Sequence, residues 1–315
     1  MALHQASGRW RRGLTLALVT AACWATLPVA LKVTLEQIDP ITLTWARFLF
    51  AAAVVGGWLA AGGGLRQFAR MDGKGWVLLL VAAFMLIGNY VFYLLGVQHT
   101  SPANAQLLIQ LAPLLMALGG ILVFHEPYRP GQWAGMAITA VGLLLFFRDQ
   151  LAGSVTDPHA YLVGSGAVIA AALVWATYAL IQKQLLLRLN SPAILLAIYV
   201  VASIVLLPFS HPTALPVLDG RHALLLGYCA INTLVAYGAF AEALEHWEAS
   251  RVSAILAVTP LLTILVVAIV HGAWPQLMAA ERVSALGFVG AGLAVVGSAM
   301  SSLLGAARKE PSDGE

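Results

Sequence analysis

Arg47 stands seven residues into the apolar stretch that opens at Pro40, with Phe48, Leu49 and Phe50 directly after it. At 1.5 Å per residue, a helix carries it roughly 10 Å from its start. A guanidinium at that depth has two uses. Its long stem can lead the charge back to the interface, or the charge stays to attract an anion such as a carboxylate or the C-terminal end of a helix. Other polar side chains sit in apolar runs where a lipid-facing position is costly. Asn89, Tyr90 and Tyr93 share one run, with the two tyrosines three residues apart on one helical face, and Tyr237 occupies the position related to Tyr90 later in the chain. Gln106, Gln110 and Pro113 follow at i, i+4 and i+7, and Trp175, Tyr178 and Gln182 at i, i+3 and i+7. Each set forms one polar or aromatic stripe on a helix. Hydrogen bonds between helices would account for them one at a time. Several such stripes together point to a lined cavity, with Trp24 and Trp175 as paired walls and Arg47, Asn89, Tyr90, Tyr93, Gln106, Gln110, Tyr178 and Tyr237 as binding residues.

Pro28, Pro113 and Pro260 also fall inside apolar runs. Each removes a donor from its helix and frees a carbonyl within the bilayer, as a kink, a hinge or a carbonyl aimed at a solute. Glu126 and Glu242 sit at the ends of their runs, as solvated rim carboxylates or as possible coupling groups. No Asp or Glu is expected near a midplane, which favours facilitated diffusion or exchange over tight proton coupling. His99 and His271 are expected at outer helix ends.

Catalytic patterns are missing. The chain holds no Walker P-loop, no HExxH and no GxSxG,. Cys23 and Cys229 fall in apolar runs without a Cys/His cluster, so neither a disulfide framework nor a zinc site is expected, and no metal or cofactor is implied,. An embedded enzyme stays open only as a lesser alternative to a carrier, as does a channel for small solutes.

These residues need a membrane to make sense. Hydrophobic residues make up 60% of the 315, charged residues 10%, and the mean hydropathy is +0.86. A chain this poor in charge cannot cover a water-facing surface, whose domains carry about 25% charged residues. The net charge of +3 and pI near 9.0 do not make a nucleic-acid patch, because Lys and Arg lie in the gaps between apolar runs,. The partners implied are a lipid bilayer and a small-molecule substrate, with no nucleic acid.

The first run starts after Arg9, Arg11 and Arg12 and continues through Trp24 to Leu31, too long for a cleaved signal peptide,. Further runs centre on 41–61, 76–97, 103–124, 131–147, 162–182, 192–210, 222–243, 250–271 and 284–304. Each approaches the ~20 residues that cross a bilayer. An all-α membrane protein of ten transmembrane helices is therefore expected. With the N-terminus inside, the inner gaps hold Arg66, Arg70, Lys74, Arg129, Lys183, Arg188, Arg251, Arg308 and Lys309, whereas the outer gaps hold Lys32, Arg148, Arg221 and Arg282. The positive-inside rule places both termini in the cytoplasm.

The chain also repeats itself. Gln98 to Pro127 has a weaker copy from Ala243 to Pro275, and their prolines, Pro113 and Pro260, stand 147 positions apart before the same Leu-Leu. Trp24-Ala25-Thr26 is answered by Trp175-Ala176-Thr177, and Asp39-Pro40 by Ser191-Pro192. Two five-helix halves, 1–155 and 156–307, are expected, followed by a polar tail at 308–315. An odd helix number inverts the second half, the arrangement that serves alternating access around a midplane site. Small residues at Gly287, Gly290, Ala291, Ala294 and Ser298 predict close packing of the last helix, within a monomer or across a homodimer,.

Ala103-x-Ala105 with Pro113, then Glu126, the glycines 131, 135 and 142, and Pro40-x6-Arg47-Phe48 together resemble the EamA-type branch of the drug/metabolite transporter superfamily. The resemblance runs from about Leu14 to Leu304. It implies a multi-pass transporter of the cytoplasmic (inner) membrane that exports or exchanges metabolites, commonly amino acids or related small molecules. The second half departs from the pattern, with His271-Gly272-Ala273 in place of the acidic exit and Tyr199 where Arg47 would recur.

Overall fold

The computed structural model describes residues 9–124, 129–153, 157–247, 249–280 and 283–304. Among them the secondary structure is helical throughout. The α-helices are α1 (Trp10–Thr34), α2 (Pro40–Ala61), α3 (Gly73–His99), α4 (Pro102–Leu108), α5 (Leu111–Phe124), α6 (Pro130–Gly153), α7 (Pro158–Leu185), α8 (Ser191–Leu206), α9 (Gly220–His246), α10 (Ala249–Leu256), α11 (Thr259–Ala273) and α12 (Ala285–Leu303). Helix is what such sequence must form away from water, because every main-chain donor and acceptor then finds a partner within its own segment. Eight of the segments are long and apolar enough to cross a membrane, and Ala285–Ser301 is a shorter apolar one.

Most helix starts are written in the sequence. Asp39 accepts from the Ile41 and Thr42 amides at 2.9 and 3.0 Å, and Pro40 occupies the first helical position, where its missing N–H costs nothing,. Asn190 caps α8 in the same way, accepting from Ala193 at 3.1 Å. Asp72, Ser101, Asp157, Asp219 and Ser284 cap α3, α4, α7, α9 and α12.

Two runs expected as single helices are broken instead. The stretch 103–124 splits at Ile109–Gln110 into α4 and α5, and 250–271 splits at Ala257–Val258 into α10 and α11. Both breaks precede a proline, and both are closed by tighter i→i+3 bonds, Ala112 to Ile109 at 2.8 Å and Leu261 to Val258 at 3.1 Å. Pro260 has no N–H to offer the Leu256 carbonyl, and the Thr259 hydroxyl takes that place at 2.6 Å,. Pro28, by contrast, is accommodated inside an unbroken α1.

The helices pack in pairs: α6 with α12, α3 with α7, α1 with α9, and α2 with α8. In the α6–α12 pair, main chain meets main chain. A Cβ added at Gly142 would lie 2.4 Å from the Ala294 nitrogen, and one at Gly297 would lie 2.4 Å from the Thr139 nitrogen. Gly135 and Gly290 face equally close backbone at Ser301 and Phe146. The small-residue face of α12 is therefore spent on α6 of the same chain. Side chains such as Leu144, Leu173, Ile204 and Leu224 point outward and form an apolar exterior. Cys23 and Cys229 are free thiols.

Candidate functional site

A buried cluster lies where α2, α3, α7, α8 and α9 meet. Arg47, 2% exposed, donates from Nε and Nη2 to the Thr233 hydroxyl at 3.2 and 3.0 Å. Its guanidinium carbon lies 5.0 Å from the centre of the Tyr90 ring, within cation–π reach,. Thr233 passes its own proton to the Cys229 carbonyl at 2.9 Å, so its oxygen is free to accept from the arginine. Among the described residues, no carboxylate forms an ion pair with Arg47. A hydroxyl and a ring face thus hold a full positive charge inside an apolar bundle.

Aromatic rings complete the cluster. Phe48 lies 4.4 Å from Tyr90 and 5.4 Å from Tyr199 between ring centres. Tyr178 and Tyr199 are buried in the same core, with Trp175 and Tyr237 packed against it. Trp24 meets Tyr237 edge-on at 6.0 Å and Phe240 at 5.6 Å. Pro28 lies one turn after Trp24 and cannot donate to its carbonyl,.

The remaining predicted residues make their contacts elsewhere. The Tyr93 hydroxyl donates to Gln106 Oε1 at 2.8 Å, linking α3 to α4. Gln110, at the break between α4 and α5, donates to the Ala257 carbonyl at 3.3 Å, at the break between α10 and α11. Gln106, Gln110 and Pro113 therefore do not share one regular helix, and Pro113 is exposed whereas Pro260 is buried. Asn89 turns away from the cluster and donates to the Ala171 carbonyl at 3.0 Å in the α3–α7 seam. Glu242 lies near the end of α9, paired with Arg12 and 3.6 Å from His246 Nε2. Glu126 lies outside the described residues.

Three residues of this region were not singled out from the sequence as binding residues: Thr233, Tyr199 and Asn232. Asn232 donates to the Cys23 carbonyl at 2.9 Å and to the Tyr228 hydroxyl at 3.1 Å, beside Thr26. The adjacent polar pair Asn232-Thr233 in an apolar run was the available signal. It is the same signal that picks out Asn89 and Tyr90.

What the cluster can do chemically is bind. It offers a desolvated cation, aromatic faces and hydroxyls, which suit a small solute bearing a carboxylate and a flat group.

Comparison with known proteins gives a consistent answer. The EamA-like transporter family matches residues 11–148 and again 162–303. The chain is 36% identical over 292 residues to the Escherichia coli (strain K12) protein named "Uncharacterized inner membrane transporter YhbE", covering 92% of this chain and 91% of that one. It is 26% identical over 302 residues to a "Probable amino-acid metabolite efflux pump" of the same organism, covering 91% and 93% of the two chains. A solved crystal structure superposes with a TM-score of 0.63 at 22% identity, over 95% of this chain and 98% of its own, a likeness of fold.

Proposed function

Because the chain belongs to the EamA-like transporter family, we propose that this membrane transporter is a ten-pass inner-membrane carrier that moves small metabolites, amino acids first among them, by alternating access. Its halves, 1–155 and 156–307, are inverted repeats with both termini in the cytoplasm. The double family match and the paired packing support this reading: exchanging the halves turns the α3–α7 contact into α1–α9 and leaves α2–α8 and α6–α12 unchanged. The amino-acid assignment draws support from the efflux-pump relative and from the cluster itself.

The observation that carries the binding role is Arg47, buried and without a counter-charge among the described residues. Stripping a guanidinium of water costs several kcal/mol unless an anion repays it. A substrate carboxylate arriving at Arg47 supplies that anion and displaces a weak hydroxyl partner. Tyr90, Tyr178 and Tyr237 then offer faces to the rest of the solute, and Trp24 and Trp175 flank it. The cluster is packed shut in this conformation, so loading requires α2 and α9 to part.

Counterflow in proteoliposomes tests the carrier. Vesicles preloaded with amino acids, nucleosides or sugars are expected to show saturable exchange of one carboxylate-bearing class. Uptake that never saturates, or no exchange in tight vesicles holding folded protein, would reject it.

A further inference from the structure

At the end of the bundle where α1 finishes and α9 begins, His222 is 1% exposed and lies between two carboxylates. Its Nδ1 is 2.8 Å from Asp219 Oδ1, which also accepts the His222 main-chain N–H at 2.9 Å. In the neutral ring the proton therefore sits on Nδ1, donated to Asp219. That leaves the Nε2 lone pair buried and, among the described residues, without a hydrogen-bond partner. Facing that lone pair is the Glu36 carboxylate, whose Oε2 is 3.5 Å away. A buried lone pair facing an anion is repulsive; a proton on Nε2 turns the repulsion into attraction, and closing the 3.5 Å gap then makes a charge-assisted hydrogen bond,.

From this geometry we propose that His222 is a proton-binding site, and that the bound proton latches the end of α1 to the start of α9. Asp219 belongs to the α9 cap and Glu36 to the turn that closes α1, so only the doubly protonated ring bonds both. A second link already joins these segments, since Gln37 Nε2 donates to Asp219 Oδ2 at 2.9 Å. Among the described residues, the other charged groups of the elements packed here are engaged elsewhere or turned outward. Lys32 donates to the carbonyls of Val97, Gln98 and Thr100 at the end of α3. Asp39 faces His211 at 3.3 Å, and Arg221 is exposed. Asp219 remains an anion throughout, because the hydrogen bonds from the His222 main chain and ring hold its carboxyl down at about 2.

Neither the site nor the latch needs a transported solute, so both stand apart from the carrier reading.

The test uses the full chain in lipid nanodiscs with 15N-labelled histidine, the His222 ring being assigned by its loss in His222→Gln. Nε2 is expected to gain a proton as the pH is lowered, and Glu36→Gln to move that protonation to lower pH. Main-chain hydrogen exchange at 35–38 and 219–223, corrected for intrinsic rates, is expected to slow about tenfold on protonation in the wild type. It should stay level with pH in Glu36→Gln, whose exposed position spares the fold, and follow the wild type in His211→Gln. A ring that never takes a second proton, or a midpoint that Glu36→Gln leaves in place, overturns the site. Protection that is unchanged while the ring titrates overturns the latch.

Discussion

The side-chain amide of Gln110 donates to the main-chain carbonyl of Ala257, and the two residues stand 147 positions apart, as Pro113 and Pro260 do. Each residue sits at the break in its own half's proline-bearing helix, so the two breaks are joined to each other. Leu261 bonds to Val258 rather than to Ala257, which leaves the Ala257 carbonyl free for the glutamine. Gln110→Leu is expected to lower stability by about 0.6–1.7 kcal/mol, the span measured for side-chain hydrogen bonds between membrane helices. Reversible unfolding in bicelles measures it, and a loss well above that span would mean the break itself had reorganised.

Arg47 provides the sharpest functional prediction. A hydrogen bond to a charged group contributes about 1.5–3 kcal/mol, so Arg47→Gln should weaken binding of a carboxylate-bearing substrate roughly 10- to 150-fold. Half-saturation in counterflow reads this directly. The methyl ester of the same substrate should exchange poorly in the wild type and lose little more in the variant. Equal losses for acid and ester would place the arginine in packing rather than recognition.

Glycines on α12 should separate cleanly by position. A Cβ at Gly290 would come within 2.7 Å of the Phe146 nitrogen, whereas a Cβ at Gly292 meets nothing within 4 Å. Gly290→Ala is expected to cost about 1–3 kcal/mol through overpacking. Gly292→Ala should be neutral or slightly stabilising, since alanine restricts the unfolded chain. Thermal unfolding of the two variants in one detergent decides it.

Acid stability should carry the mark of Asp219. Its pKa is lowered from 3.8 to about 2 by the His222 main-chain and ring hydrogen bonds. A depressed carboxylate stabilises the fold above its unfolded value and loses that contribution as pH falls through its folded one. The Asp219 contribution is therefore complete above 3.8 and fades between there and about 2. Asp219→Asn should flatten the stability curve over that interval, as followed by unfolding midpoints at successive pH values.

Glu242 and Arg12 pair with side chains 39% and 56% exposed. Exposed pairs contribute about 0–1 kcal/mol, so Glu242→Gln should shift the melting temperature little. It should also leave the pH profile of counterflow unchanged; a profile flattened by this substitution would make Glu242 a coupling group.

What could be read from the residues alone followed from the bilayer's intolerance of unsatisfied polarity. That rule picks out Arg47, Tyr90, Tyr178 and Tyr237 one at a time, each within its own apolar run. Their convergence depends on which helices become neighbours, and periodicity within a run carries no such information. Thr233 was missed for that reason: a threonine bonding its own helix and one accepting from Arg47 look alike in sequence. The breaks at Gln110 and Ala257 were hidden because a proline in an apolar run announces a disturbance without choosing between the unbroken helix that holds Pro28 and the full interruption seen before Pro113 and Pro260. His222 escaped notice because it stands at a run's edge, where solvation is the ordinary expectation. Only the fold closes Glu36 over it.

The α6–α12 seam has a bearing on how the protein is made. Chains emerge from the ribosome N-terminus first, and α12 is the last of the described helices to follow,. During synthesis α6 therefore waits in the bilayer with Gly135 and Gly142 against lipid, in a groove cut to fit a backbone that does not yet exist. The seam therefore forms only once α12 has followed, and a chain halted before Ala285 leaves α6 without the backbone its glycines fit.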